Sequence, residues 1–208
     1  VAEHVSEKPL NELYKSELLD PLGLVAIQLP QDDAPRDTAH PHDDRADWGG
    51  TGFGDITESY WYDDWFALTG RTSWAAAGLV TTSENMARWG FELFSPDGSA
   101  ISPAMRDKLL TSYSGELVDI GGLQQHYGYH STKGTITLSD SEVTVYGHPG
   151  GGGGFISILY YSPELDLSIS LLSNASTDAR TQEEAEGKLT NRTLDDIAWI
   201  IFDTFNSN

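Results

Sequence analysis

The stretch Tyr146-Gly147-His148-Pro149-Gly150-Gly151-Gly152-Gly153-Gly154-Phe155 decides the fold. Successive glycines between two apolar runs point to a backbone that must lie close to something. Glycine has no Cβ to hold a neighbour away, and it permits positive φ. Upstream, residues 142–146 alternate as a half-buried strand does. Downstream, residues 155–161 and 167–172 read as two strands joined by a turn at Ser162-Pro163-Glu164-Leu165-Asp166. The reading is an antiparallel sheet entered through a glycine segment, with a ligand lying along that backbone and touching Gly150 and Gly152. A flexible linker is the plainer alternative, but linkers carry serine and polar residues and do not abut His-Pro and Phe-Ile directly. The spacing also satisfies Gly-x-Gly-x-x-Gly trivially, yet a strand follows where a phosphate-binding turn needs a helix N-terminus.

Working outward, the first residues, 1–5, look like the end of a helix. A second helix begins at Pro9, with Leu10, Leu13, Tyr14 and Leu18 on one face, and Asp20-Pro21 stops it. Residues 30–72 are the least regular part, with three prolines, a His40-Pro41-His42-Asp43-Asp44 cluster and the aromatics Tyr60, Trp61, Tyr62, Trp65 and Phe66, which suit a cleft wall. Thr82-Ser83-Glu84-Asn85 is an N-cap for a helix placing Met86, Trp89 and Leu93 on one face, and Ser102-Pro103 opens another through Met105, Leu109 and Leu110. Short strands are expected at 127–131, 135–138 and 142–146 before the glycines. A final helix shows a stripe of Leu194, Ile197, Ala198, Ile201 and Phe205. Helices, then sheet, then one closing helix define an α+β fold, an antiparallel sheet with flanking helices.

Composition bounds the function. The chain has 208 residues, 38% hydrophobic and 11% aromatic, enough for one sizeable core. A formal charge of -20 argues against nucleic-acid phosphates or an anionic membrane surface as the main partner. There is no cysteine, so disulfides and thiolate zinc sites are excluded. No apolar run is long enough to span a bilayer, and Val1-Ala2-Glu3-His4 is not a signal peptide.

His148 is the first candidate for chemistry, because it ends a strand where the glycines begin. An imidazole there can act as acid or base, or fix a carboxylate; it can also simply cap the strand. Gly151 offers a backbone N–H that can stabilise an oxyanion, which Pro149 cannot do. His40, His42, Asp43 and Asp44 have the ligand types for a divalent cation, but a proline-rich acidic loop gives such clusters by chance, and no metal or other cofactor is expected. His126 and His130 fall on a segment that reads as extended, too far apart along it to act together.

Residues 147–155, followed by Tyr160-Tyr161-Ser162-Pro163 and Leu171-Leu172-Ser173-Asn174, resemble the third active-site motif and following strands of the serine β-lactamase-like superfamily, class C branch. Two more stretches agree in order and rough spacing. Lys8-Pro9-Leu10 through Pro21-Leu22-Gly23-Leu24 is similar to the family's Gly-Lys-Pro to Pro-Leu-Gly segment. Ala76-Ala77-Gly78-Leu79 through Ala87-Arg88-Trp89 is similar to its Gly-Gly-Leu helix start. The resemblance implies a β-lactamase/transpeptidase-like fold and a serine hydrolase acting on a β-lactam, D-amino-acid peptide or ester through an acyl-enzyme. It implies that His148 stands at the family's Lys/His position, that Gly151 gives an oxyanion N–H, and that the setting is periplasmic or extracellular. Two departures are Pro149, where a Thr or Ser is usual, and Glu7, where the family has glycine.

A third departure is larger. The family acylates the serine of Ser-x-x-Lys with help from Tyr-x-Asn, and neither pattern occurs in the 208 residues. Ser83-Glu84-Asn85 fits Ser-x-Asn but opens a helix. The expectation is therefore that residues 1–208 are the C-terminal portion of one such domain, 1–112 mainly helix and loop and 113–208 sheet plus closing helix. Alone, that portion would be inactive, and would associate with the missing N-terminal segment or with itself. The alternatives are a non-catalytic module of the same fold binding peptide or glycan, and a piece kept only for structure.

Overall fold

The computed structural model describes residues 1–24, 39–44, 53–57, 76, 79–120, 123–175 and 191–206. Helix α1 (Ala2–Ser6) leads to α2 (Leu10–Leu13), which widens into a π turn at Tyr14–Leu19 and tightens into a 3₁₀ turn at Asp20–Leu22. The π turn advances the face by one position, so Leu19 rather than Leu18 is buried with Leu10. Asp20-Pro21 does not stop the helix, because proline suits the first positions of the 3₁₀ turn; Gly23, at φ 61°, ends it. Glu7 also sits at positive φ, 57°, which gives a physical reason for the glycine that the resembling family keeps there.

Two short strands, β1 (His42–Asp44) and β2 (Phe53–Asp55), pair inside the stretch that reads as irregular in sequence. Tyr60, Trp61, Tyr62, Trp65 and Phe66 lie outside the described residues.

Helix α3 (Ser83–Phe94) starts as expected: the Thr82 hydroxyl accepts the Asn85 backbone N–H at 3.2 Å. Its buried residues are Asn85, Gly90 and Phe94, with Met86, Trp89 and Leu93 only half-buried. Gly90 decides the difference. A Cβ there would come within 2.5 Å of Ser168 Oγ and 2.7 Å of Leu159 Cδ1, so the helix meets the sheet backbone-first at that point. Arg88 of α3 donates to the carbonyls of Leu22 (2.9 Å) and Gly23 (3.4 Å), which ties the first two family-like stretches together. Helix α4 (Pro103–Leu110) follows its Ser102 cap. It buries Arg106 rather than Met105, because the guanidinium donates to carbonyls at the C-terminal end of α3, Leu93 at 3.1 Å and Glu92 at 3.3 Å, and to Gly98 at 2.6 Å.

A six-stranded antiparallel sheet makes up most of the second half, in the order β3 (Leu117–Ile120), β4 (Leu123–Tyr127), β5 (Thr132–Thr137), β6 (Glu142–Gly152), β7 (Phe155–Ser162) and β8 (Leu167–Ser173). The strand expected at 127–131 is instead the end of β4 and a turn closed by the Gly128 N–H on the Ser131 carbonyl, with His130 at φ 53°. Strands β3 and the start of β4 escape a hydrophobicity reading because their side chains are mostly polar or exposed.

The final helix, α5 (Asn191–Asn206), covers one face of the sheet. Leu194, Ala198 and Phe202 pack there against Val143, Val145, Ile158, Tyr160 and Ile169. Its stripe is rotated from the sequence reading: Phe202 is fully buried, while Ile197 and Phe205 are 39% and 59% exposed. The opposite face meets α3 through a ring cluster, with Phe94 stacked on Tyr146 at 6.0 Å and near Tyr161 at 6.4 Å. The sheet thus lies between α5 and α3, as expected for segregated helix and sheet layers.

Candidate active site

The glycine run divides into two uses. Residues 147–152 are the end of β6, in register with β7 from Gly147↔Tyr160 to Gly152↔Phe155. Gly153 and Gly154, at φ 57° and 79°, form the two-residue turn of that hairpin, a conformation strongly biased to glycine. The tip is clamped from outside. A Cβ on Gly154 would come within 2.8 Å of the His42 nitrogen, and the His42 N–H donates to the Asn174 carbonyl at 2.8 Å. Asn174 Nδ2 returns a bond to the His40 carbonyl at 2.7 Å. The histidine-rich cluster therefore holds the hairpin tip and the end of β8. Its rings are engaged locally: His40 Nδ1 lies 3.1 Å from Asp55 Oδ2, and His42 Nδ1 donates to the His40 carbonyl at 2.9 Å. Asp55 is held down at about 2, chiefly by hydrogen bonds from Thr57 and further by His40.

Among the described residues, His148 to Gly152 have a strand on one side only. Strand β5 begins at Thr132, opposite Gly147, and reaches no further along β6, whereas pairing with β7 continues to Gly152↔Phe155. The Thr132 hydroxyl donates to the Gly147 carbonyl at 3.0 Å, which directs that carbonyl toward β5. Backbone direction repeats every second residue, so the N–H of Gly151 is directed to the same side, past the end of β5. Gly150 Cα lies close over Ser157, where a Cβ would be 2.5 Å from the Ser157 hydroxyl.

The His148 ring is fixed at both nitrogens. Nδ1 contacts the Pro149 carbonyl oxygen, and a carbonyl can only accept, so Nδ1 carries a proton. Nε2 is 3.2 Å from the Tyr127 hydroxyl, and the two rings meet edge to face at 5.6 Å and 85°. In the neutral imidazole Nε2 is then the acceptor of the tyrosine proton. Tyr127, at the end of β4, was not visible as a site residue in the sequence; the contact spans three strands, and no local spacing encodes it.

Other sequence candidates fall elsewhere. His126 Nδ1 donates to the Glu116 carbonyl at 3.2 Å, and His130 lies in the following turn, so the two do not form a pair. Asn85 serves the start of α3, its Nδ2 donating to the Thr82 hydroxyl at 3.0 Å. Among the described residues, no group of three or more acidic or histidine side chains could hold a metal ion. An open cavity of about 420 Å³ lies along β3, β4 and β5, lined by Leu117, Gln124, His126, Lys133, Gly134 and Thr135; none of His148, Gly150, Gly151 or Gly152 lines it. On the α5 side, Tyr160 donates to Asp195 at 2.9 Å. Burial pushes the Asp195 carboxyl up to about 6, and among the described residues its Oδ2 has no hydrogen-bond partner.

An antiparallel sheet between helices, with a glycine-rich strand running past the end of its neighbour beside an imidazole, defines the sheet half of a β-lactamase-like fold. The Beta-lactamase family profile matches residues 1–190, and the chain belongs to that family. Among solved structures it is similar to the D-amino acid amidase from Ochrobactrum anthropi SV3 in complex with L-phenylalanine amide. The identity is 18% and the TM-score 0.74, over 99% of this chain and 53% of that one. It is similar also to a D-stereospecific amidohydrolase from Streptomyces sp., at 17% identity and TM-score 0.61, over 90% of this chain and 50% of that one. The chain thus spans about half the length of the structures it matches. No curated protein matches it in sequence. Among the described residues, no helix is long and apolar enough to cross a membrane.

Proposed function

We propose that these residues form the sheet-side wall of a serine hydrolase site that cleaves an amide of a D-amino acid through an acyl-enzyme. The observation behind this reading is the strand from His148 to Gly152, which among the described residues has a neighbouring strand on one side only, with the Gly151 N–H directed past β5. The attacking hydroxyl adds to the amide carbonyl, and the charge that develops on oxygen is met by the Gly151 N–H. The intermediate then expels the amine with a proton, and water releases the acid. His148 stands beside the reacting groups with Nε2 held by the Tyr127 hydroxyl, and Gly150 and Gly152 give the substrate a surface without side chains. The nucleophile and its base are supplied by polypeptide beyond the 208 residues, since no Ser-x-x-Lys lies within them. The preference for an amide over a β-lactam or ester is drawn from the two amidohydrolases of like fold. The sequence's resemblance to its family supports placing the protein in the periplasm or outside the cell.

The test is hydrolysis by the product of the whole reading frame. Ammonia release from D-phenylalaninamide in preference to the L-isomer is expected, with kcat/KM falling about 100-fold in His148→Ala. Binding of peptide without turnover of any amide, ester or β-lactam would replace this reading by that of a recognition module.

A further inference from the structure

We infer that Tyr127 is the positioning residue of this site, its hydroxyl holding the His148 imidazole in a single tautomer and orientation. The inference rests on the hydrolase reading for its kinetic consequence, but its geometry stands apart from it. His148 lies just beyond the last residue of β6 that pairs with β5 and is paired with Leu159 of β7 on its other side, so β5 gives it no support. Two contacts replace that support. The Pro149 carbonyl accepts a hydrogen bond from Nδ1–H, and Tyr127 reaches across the end of β5 to place its hydroxyl 3.2 Å from Nε2.

Tyr127 can do this because β4, β5 and β6 are in register at Tyr127↔Thr132↔Gly147, one residue short of His148. The hydroxyl can also reverse its role. It donates to Nε2 of the neutral ring and accepts from an N–H there when the ring gains a proton, so one orientation serves both states. The phenol ring, 37% exposed, stands edge-on beside the imidazole. The contact is a hydrogen bond with an edge-on ring behind it, the arrangement that locks a side chain without charging it.

The decisive experiment compares wild type with Tyr127→Phe, which removes the hydroxyl and keeps the ring, in the full-reading-frame protein. The imidazole ¹⁵N resonances are read first. The wild type is expected to show a protonated Nδ1 and an Nε2 shielded by an accepted hydrogen bond; in Tyr127→Phe the Nε2 resonance moves toward that of a free lone pair. With D-phenylalaninamide, kcat is expected to fall about 10-fold with KM changed less than about twofold, because orientation is lost and binding kept. Matching Nε2 resonances in the two proteins would overturn the inference, as would a resonance that moves while kcat does not. A wild type without turnover would end the hydrolase reading and with it the kinetic role, while the resonances still decide whether tyrosine holds the ring.

Discussion

A methyl group on Gly147 would come within 1.7 Å of the Leu159 carbonyl oxygen and 3.0 Å of Tyr160 Cδ1. Backbone, unlike a flexible side-chain end, cannot step aside, so Gly147→Ala is expected to cost about 3 kcal/mol in denaturant unfolding or to prevent folding. Gly152, where the same construction meets nothing within 4 Å, is a poor control because its φ of 148° itself disfavours a side chain. Asp195 gives a second test at this scale. Its carboxyl is raised in the folded protein to about 6 from an ordinary 3.8, so the folded state binds that proton more tightly than the unfolded chain. The contribution of this group to stability is therefore greatest below the unfolded value, declines as pH rises from about 4 to about 6, and stays low above. Asp195→Asn keeps an acceptor for the Tyr160 hydroxyl and removes the titration. Relative to wild type it is expected to stabilise the protein at pH 7 by on the order of 1 kcal/mol, discounted for partial exposure, with the gain vanishing below about pH 4. Unfolding midpoints at pH 4 and 7 check this; an equal effect at both pH values would contradict it.

At the scale of elements, α5 separates a periodicity reading from the packed structure. Phe202→Ala, at a fully buried position among Val143, Val145 and Tyr160, is expected to cost about 3–5 kcal/mol. Phe205→Ala, at 59% exposure, should stay within about 0.5 kcal/mol. A reversed order in thermal unfolding would restore the stripe read from sequence. The contrast shows what the sequence makes legible. Alternation in β6 is plain because one face of it is buried under α5, and β7 reads as an apolar run because α5 and α3 cover both its faces. The caps Thr82 and Ser102 are plain because they act on their own helices. The one-position offsets at Leu19 and Phe202, and the burial of Arg106, are not local. They depend on a π turn, on the tilt of a helix over a sheet, and on carbonyls left open at the end of another helix. At the site, His148 and the glycines stand out by composition. Tyr127 does not, since its partner is 21 residues away across two strand boundaries.

For the whole molecule, sheet and helices place the strand from His148 to Gly152 beside a single described neighbour, in a chain that spans about half the length of the related structures. In the proposed function an acyl oxygen lies against that bare backbone. The central claim is that the Gly151 N–H meets that oxygen. A fluorophosphonate adduct of the full-reading-frame protein tests it most directly, because its phosphoryl oxygen occupies the place of the oxyanion. The account predicts that oxygen within about 3 Å of the Gly151 nitrogen in a crystal structure of the adduct. An adduct whose oxygen points away from Gly151, or a protein that the reagent leaves unlabelled, would contradict it.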